Sequence, residues 1–136
     1  ESMRLQLEKQ QASLSIETSG ECTITGDKLH LQSLVFNLVD NALKYSSEHP
    51  QIAVRLQGTE KDLALEVSDN GIGIPPEYRQ KVFEKFFRVP HGDTHNAKGH
   101  GLGLSYVAQV VAKHNGTIHI EPRTGGGTRF IIHFPK

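Results

Sequence analysis

The sequence predicts an α/β two-layer sandwich, a mixed and largely antiparallel sheet covered on one face by helices. Three observations carry that expectation. Several short segments alternate apolar and polar residues with the period of a half-buried strand, most clearly "DLALEV" (62–67), where Leu63, Leu65 and Val67 share one face. One long segment, roughly 27–46, is apolar around most of a helical circumference and so has to lie against another layer. Glycine and proline breaks such as "DNGIGIPP" (69–76) and "GGG" (125–127) separate these segments. Helices laid on a sheet bury the apolar side of both.

The elements follow in order. Residues 1–12, with the polar and helix-prone stretch Arg4 to Gln11, read as the tail of an upstream linker helix. "SLSIET" (13–18) and "CTITG" (22–26) read as short strands around Gly20. Asp27 caps the long helix. "QIAVRLQ" (51–57) and "DLALEV" are the next strands, and Pro75-Pro76-Glu77 opens a short helix, because proline suits a first turn. Residues 88–100, "RVPHGDTHNAKGH", have no period and read as a mobile loop. A helix then runs to about Asn115, with Leu104, Val107, Ala108 and Val111 on one face, and Gly116 is placed to terminate it. "TIHIEP", the Gly125-Gly126-Gly127 turn and "TRFIIHF" close the chain. With no internal repeat and no low-complexity linker, residues 1–136 read as a single domain.

Composition excludes several classes. Lys plus Arg equals Asp plus Glu at 15 each, which argues against a general nucleic-acid or anionic-membrane binder. The single cysteine, Cys22, excludes an intramolecular disulfide and fits a reducing compartment. The longest apolar run, "SLVFNLV", is too short to span a bilayer, and no signal peptide is visible, so no direct membrane insertion is expected. The eight histidines are scattered; His91 and His95 are four apart but lie in the aperiodic stretch, which disfavours zinc.

Four places carry chemistry. Asp69 keeps the parity of Leu63, Leu65 and Val67, so it points inward at the end of its strand, and a buried carboxylate without a partner is very costly. Asp-Asn-Gly also makes an ordinary turn cap, and at this point cap and ligand stand level. On the long helix, Ser33, His30, Asn41 and Lys44 all fall within about 40 degrees of Asn37 at 100 degrees per residue. Leu31, Leu34, Val35, Phe36, Leu38, Val39, Ala42 and Leu43 take most of the remaining arc. A merely solvated stripe would carry Glu, Lys, Gln or Arg, since asparagine is a poor helix former. Asparagines one turn apart, followed by a lysine, offer oxygens to a hydrated cation and an ammonium to phosphates. In "KGHGLGLSYV" (98–107), Gly99, Gly101 and Gly103 alternate before a helix, where backbone N–H groups can approach anionic oxygens. The dinucleotide fingerprint fails there on spacing, and the Gly-Lys-Ser/Thr of a phosphate-binding loop occurs nowhere. Finally, "VFEKFFRVP" (82–90) holds half of the six phenylalanines, read as core anchors for the loop, with Arg88 at the hinge either solvated or facing a phosphate.

Taken together these stretches resemble the ATP-binding catalytic domain of sensor histidine kinases, in the superfamily that also holds gyrase, Hsp90 and the MutL proteins. "NLVDNALKYS" (37–46) resembles the N box, "DNGIGI" (69–74) the first glycine box, "FEKFFRV" (83–89) the F box, "GHGLGL" (99–104) the second glycine box and "GGGTRF" (125–130) the last. Single boxes are weakly specific, but five in family order over residues 37–130 are very specific. The resemblance implies the Bergerat fold with a mobile ATP lid, and ATP and Mg²⁺ as cofactors. It implies that Asp69 accepts a hydrogen bond from the adenine 6-amino group, with a second contact through water at Thr128, which shares inward parity with Phe130, Ile132 and Phe134. It implies that Asn41 ligates the metal, that Lys44 and Arg88 contact phosphates, and that Asn37 supports them. Gly71 and Gly73 would let adenine lie close to the backbone, with Ile74 and Tyr45 beside the nucleoside. Lys98, Gly99, His100, Gly101, Leu102, Gly103 and Leu104 would surround the triphosphate.

The hydrolases of this superfamily carry a glutamate as general base four residues before the metal-binding asparagine. Here that residue is Asn37, which takes no proton near neutral pH. This sets a gyrase- or Hsp90-type ATP hydrolase below a kinase; a degenerate nucleotide-binding module that only docks partner helices is the other alternative. The family's phosphoacceptor histidine sits on a dimerising helix before an acidic residue, and no histidine here precedes Glu or Asp. The resemblance therefore implies a catalytic domain that phosphorylates a histidine on a separate dimerisation helix domain and serves a response regulator through it. It implies a cytoplasmic domain whose parent is anchored in the inner membrane.

Overall fold

The computed structural model describes residues 12–22, 24, 26–44, 49–84, 103–123 and 125–136. Within them lie strands β1 (Ser13–Ser19), β2 (Gln51–Gly58), β3 (Asp62–Asp69), β4 (Thr117–Pro122) and β5 (Thr128–Pro135). Two helices are described, α1 (Lys28–Lys44) and α2 (Gly103–Lys113), with single 3₁₀ turns at Pro76–Tyr78 and Lys81–Phe83. The sheet order is β1-β2-β3-β5-β4. β1 pairs with β2 in parallel and every other pairing is antiparallel, as the fold class predicts. The upstream stretch 1–11, Tyr45, Phe86, Phe87, Arg88 and the glycine-rich run from Lys98 to Leu102 lie outside the described residues.

The strand period sorts the two sheet faces. On β3, Leu63, Leu65, Val67 and Asp69 are buried while the residues between them are half-buried. Ile52, Val54, Phe130, Ile132 and Phe134 join them from the neighbouring strands. The helices close over this face with Leu34, Leu38, Val39, Ala42 and Leu43 of α1 and Val107, Val110 and Val111 of α2. Each of these leucines and valines contributes about 1.5–3 kcal/mol by leaving water. Phe83 anchors the second 3₁₀ turn to this core, edge-on to Phe130 at a centroid distance of 6.5 Å. The other face is polar. Glu17 and Arg55 pair at 3.5 Å, Arg129 lies 3.1 Å from Glu66 and 3.6 Å from Glu121, and the charges alternate across the strands. The Nε of Arg129 meets Glu66 at ion-pair distance without hydrogen-bond alignment.

Three expectations are corrected. Of the stretch 22–26 expected as a short strand, Cys22, Ile24 and Gly26 lie outside any strand, and Thr23 and Thr25 lie outside the described residues. The chain leaves β1 through Gly20 at φ 72° and crosses tightly over the end of β2, where a Cβ on Gly58 would lie 1.8 Å from the Glu21 carbonyl oxygen. That carbonyl accepts from the Lys136 ammonium, and the Cys22 thiol donates to the Ser19 carbonyl at 3.3 Å. Second, Phe36 is 43% exposed although it belongs to the apolar arc of α1. It lies roughly opposite Leu38 at 100 degrees per residue, past the edge of the packed face. Third, Asn115, not Gly116, takes the left-handed position after α2, at φ 62°. Gly116 N–H returns to Val111 O at 2.8 Å and Asn115 N–H to Ala112 O at 3.0 Å, the paired closure of a Schellman end. Glycine is needed at 116 for room, since a Cβ there would lie 2.6 Å from the His133 carbonyl oxygen. The start of α1 is as expected, with His30 N–H donating to Asp27 Oδ1 at 3.1 Å.

Candidate functional site

Period two brings Asp69 inward at the last position of β3, between Ile52 on β2 and Thr128 on β5. Asp69 is 6% exposed and Thr128 4%. Gly71 N–H donates to Asp69 Oδ1 at 2.8 Å, so the carboxylate does cap its own turn. Burial pushes its pKa above the ordinary 3.8, while the N–H groups of Gly71 and Thr128, and last the charge of Arg123, pull it back. Among the described residues no cation stands within ion-pair distance of it. The N–H groups of Gly71 and Thr128 thus take part of its acceptor capacity, and the carboxylate stays buried with capacity to spare.

Glycines pack against the backbone that carries this carboxylate. The turn at 125–127 holds φ values of 90°, 110° and 110°, which L side chains rarely adopt. A Cβ on Gly127 would fall 1.9 Å from the Asp69 carbonyl oxygen, so the turn lies directly on the backbone of β3. Gly73, at φ 77°, faces the same turn, with a Cβ position 3.4 Å from the Gly127 carbonyl oxygen and 4.0 Å from Thr128 Oγ1. The loop between is pinned at both ends. Asn70 Oδ1 accepts from Gln51 N–H at 2.9 Å, and Arg79 Nε donates to the Ile74 carbonyl at 3.3 Å. Ile74 packs against the core. Asp69, Gly71, Gly73 and Thr128 thus converge in one place.

A second group forms where α1 meets the start of α2. Asn37 donates through Nδ2 to the Ser33 carbonyl at 2.8 Å, which turns its Oδ1 toward Gly103. A Cβ on Gly103 would lie 3.2 Å from that oxygen, so glycine lets the helix begin against the asparagine. Asn41 is half-buried one turn along, and Lys44 pairs with Asp40 at 3.1 Å. Leu104 packs on the core beside Gly103. Sequence reasoning missed Asp40, although its i,i+4 spacing to Lys44 was a signal. It also missed Arg123, whose Nη1 donates to the Gly126 carbonyl at 3.1 Å and braces the glycine turn; no pattern announces that contact. Tyr45, Arg88, Lys98, Gly99, His100, Gly101 and Leu102 lie outside the described residues.

The fold has counterparts in known proteins. Residues 26–136 match the family described as histidine kinase-, DNA gyrase B-, and HSP90-like ATPases. The chain belongs to this family. Its relatives place this ATPase domain in the histidine-kinase branch. It is 43% identical over 114 residues to the sensor protein RprX of Bacteroides fragilis, covering 82% of this chain and 22% of that protein. To the sensor protein CiaH of Streptococcus pneumoniae it is 42% identical over 110 residues, covering 81% of this chain and 25% of the other. It thus spans a quarter or less of these relatives' length. Among solved structures, the nucleotide-free catalytic domain of histidine kinase ThkA superposes with a TM-score of 0.85 at 28% identity, over 99% of this chain and 87% of that one. The mycobacterial sensor histidine kinase MprB does so with a TM-score of 0.83 at 32% identity, over 98% and 88%. As an ATP-binding domain of this type, the chain is a nucleotide binder.

Proposed function

We propose that this domain binds Mg-ATP with adenine against Asp69 and that, in its parent kinase, the γ-phosphate passes to a histidine on a separate dimerisation helix domain. The observation that carries the reading is the buried Asp69, an acceptor-rich group at the end of β3 beside the glycine-containing turns at 71–73 and 125–127. Ionised, it can only accept, which matches the 6-amino group of adenine and opposes the carbonyl oxygen guanine carries there. Thr128 stands across the strand pair to bring a hydroxyl to the same edge. Gly71, Gly73 and Ile74 border the base, and Tyr45 flanks the nucleoside.

The phosphates belong at the asparagine stripe and the start of α2. Asn37 and Gly103 frame that end, Lys44 and Arg88 supply cations, and the run from Lys98 to Leu104 wraps the triphosphate. Asn41 suits a magnesium ion, because a carboxamide oxygen is the hard, neutral donor that such an ion accepts. Among the described residues no group of three His, Cys, Asp or Glu could hold a metal by itself. A single protein ligand is enough where phosphates and water supply the others. When bound, the ion neutralises phosphate charge. Asn37 in place of an acidic residue leaves no base for water, which favours transfer over hydrolysis.

The relatives named as sensor proteins support a parent that is anchored in the inner membrane, holds this domain on its cytoplasmic side, and serves a response regulator through its dimerisation helices. Among the described residues no helix is long and apolar enough to cross a membrane. Calorimetry of ATP against GTP, each with magnesium, tests the adenine assignment. ATP is expected to bind more tightly by orders of magnitude, as polar mismatch in a buried site can impose. Equal affinity for the two would sink the reading.

A further inference from the structure

His114 ties the two site-bearing helices together away from the contact of Asn37 with Gly103. It follows the last residue of α2. Its Nδ1 donates to the Val110 carbonyl at 2.8 Å, and its Nε2 accepts from the backbone N–H of Asp27, just before α1, at 3.0 Å. A carbonyl only accepts and an amide N–H only donates. Both bonds together therefore require a neutral ring with its proton on Nδ1. The ring is wedged in place. A Cβ on Gly26 would lie 2.5 Å from His114 Cδ2 and 2.7 Å from Nε2, and Phe134 of β5 meets the ring edge-on at 6.1 Å.

Among the described residues the charged and titratable groups nearby are few. From the α1 side come the Asp27 carboxylate, occupied by His30 N–H, and the His30 ring, whose Nδ1 lies 3.5 Å from Asp27 Oδ2. From α2 comes Lys113, with Nζ 3.5 Å from His30 Nδ1. β5 presents the apolar Phe134 ring, while its His133 is turned to the other sheet face and stacks with His119.

We propose that His114 is a positioning residue for the nucleotide site: neutral, it latches the start of α1 to the end of α2, and on taking a second proton it releases the latch and lowers nucleotide affinity. The proposal rests on reading the α1 stripe and the start of α2 as the phosphate end of that site. A second proton puts an N–H on Nε2, directly facing the N–H of Asp27. Two donors then oppose each other in a space that Gly26 and Phe134 leave no wider. The Asp27 carboxylate has a second oxygen for the charged ring, but reaching it takes the ring off the Asp27 N–H. Either path breaks the latch and shifts the start of α1 against the end of α2, and the shift carries to the contact of Asn37 with Gly103.

The test pairs nitrogen NMR of the imidazoles with ADP calorimetry over one pH series, for wild type, His114→Gln and His114→Phe. The Nδ1–H tautomer is expected at high pH. Wild-type affinity for ADP is expected to fall roughly fivefold or more as the ring protonates, the low end of typical coupling between sites. His114→Gln, whose amide oxygen accepts from Asp27 N–H and does not titrate, should keep its affinity across the series. His114→Phe should bind weakly at every pH; if it does not fold, wild type against His114→Gln decides. An Nε2–H tautomer, or the same pH dependence in His114→Gln and wild type, overturns this proposal alone. No ADP binding by wild type at any pH sinks the nucleotide reading and this proposal with it.

Discussion

At the scale of one residue, Asp69 sets stability against recognition. Burial raises its pKa, so the folded state holds the carboxyl proton more tightly than the unfolded chain does. For a raised acid the sign is fixed: folding gains nothing from ionisation, and stability falls as pH climbs from the ordinary 3.8 through the raised folded value. Above the raised folded value the buried charge bears its full cost. Asp69→Asn removes that cost and keeps an oxygen for Gly71 N–H. The variant is expected to melt above wild type at neutral pH, with the gap closing as pH falls toward the ordinary carboxylate range. With its oxygen on Gly71, the new amide would turn N–H donors toward the adenine amine. ATP binding should weaken by roughly 1–3 kcal/mol, while GTP loses less or gains. Thermal melts across pH, with calorimetry of both nucleotides, check this pair. A variant that melts lower yet binds ATP unchanged would make Asp69 a turn cap and nothing more.

At the scale of elements, backbone geometry decides what the glycines are for. Gly127 combines φ 110° with a Cβ position 1.9 Å from the Asp69 carbonyl oxygen. Gly127→Ala is therefore expected to cost about 1–3 kcal/mol of stability from backbone strain alone, plus whatever moves to admit the methyl. Under the proposed reading it also weakens ADP binding by shifting β3 at Asp69. Urea denaturation and calorimetry separate the two effects; Gly126, with nothing within 4 Å of its Cβ position, is the control for strain without crowding. What the sequence made legible follows the same division. The inward parity of Asp69 and Thr128 was readable because period two is a local rule. So were the Asp27 cap and the polar stripe of α1. Close approaches were not. Nothing in the sequence says that the chain at Glu21 and Cys22 crosses over Gly58, and a glycine after a helix suggests φ when, at Gly116, the demand is room beside His133. Phe36 looked buried because apolarity gives the width of an arc but not where the neighbouring layer ends.

At the scale of the whole molecule, the α/β sandwich has one face of ion pairs and one face closed by helices, and the candidate site lies along the border of the second. Its two groups of residues sit on different supports, the carboxylate and glycines on β3 and β5 and the asparagines on α1 beside α2. A nucleotide that touches both would fix the helix layer against the sheet. That division bears on turnover. Phosphoryl transfer asks mostly for positioning and charge stabilisation, and the acceptor has to arrive in line with the γ-phosphorus. Under the proposed reading that acceptor lies on a separate helix domain, in keeping with a sequence in which no histidine precedes an acidic residue, and Asn37 offers no base to water. The domain alone is therefore expected to bind ATP, hydrolyse it slowly and remain unlabelled. Addition of the parent's dimerisation helices should produce label on those helices and not on this domain. Asn41→Asp should weaken that transfer, because a fixed negative charge at the metal position repels the phosphates that the neutral oxygen tolerates. Radiolabelled ATP with each protein alone and with the two mixed reads all three outcomes. Rapid phosphate release by the domain alone would favour the hydrolase branch, and acid-labile label on any of its own histidines would make this chain its own acceptor.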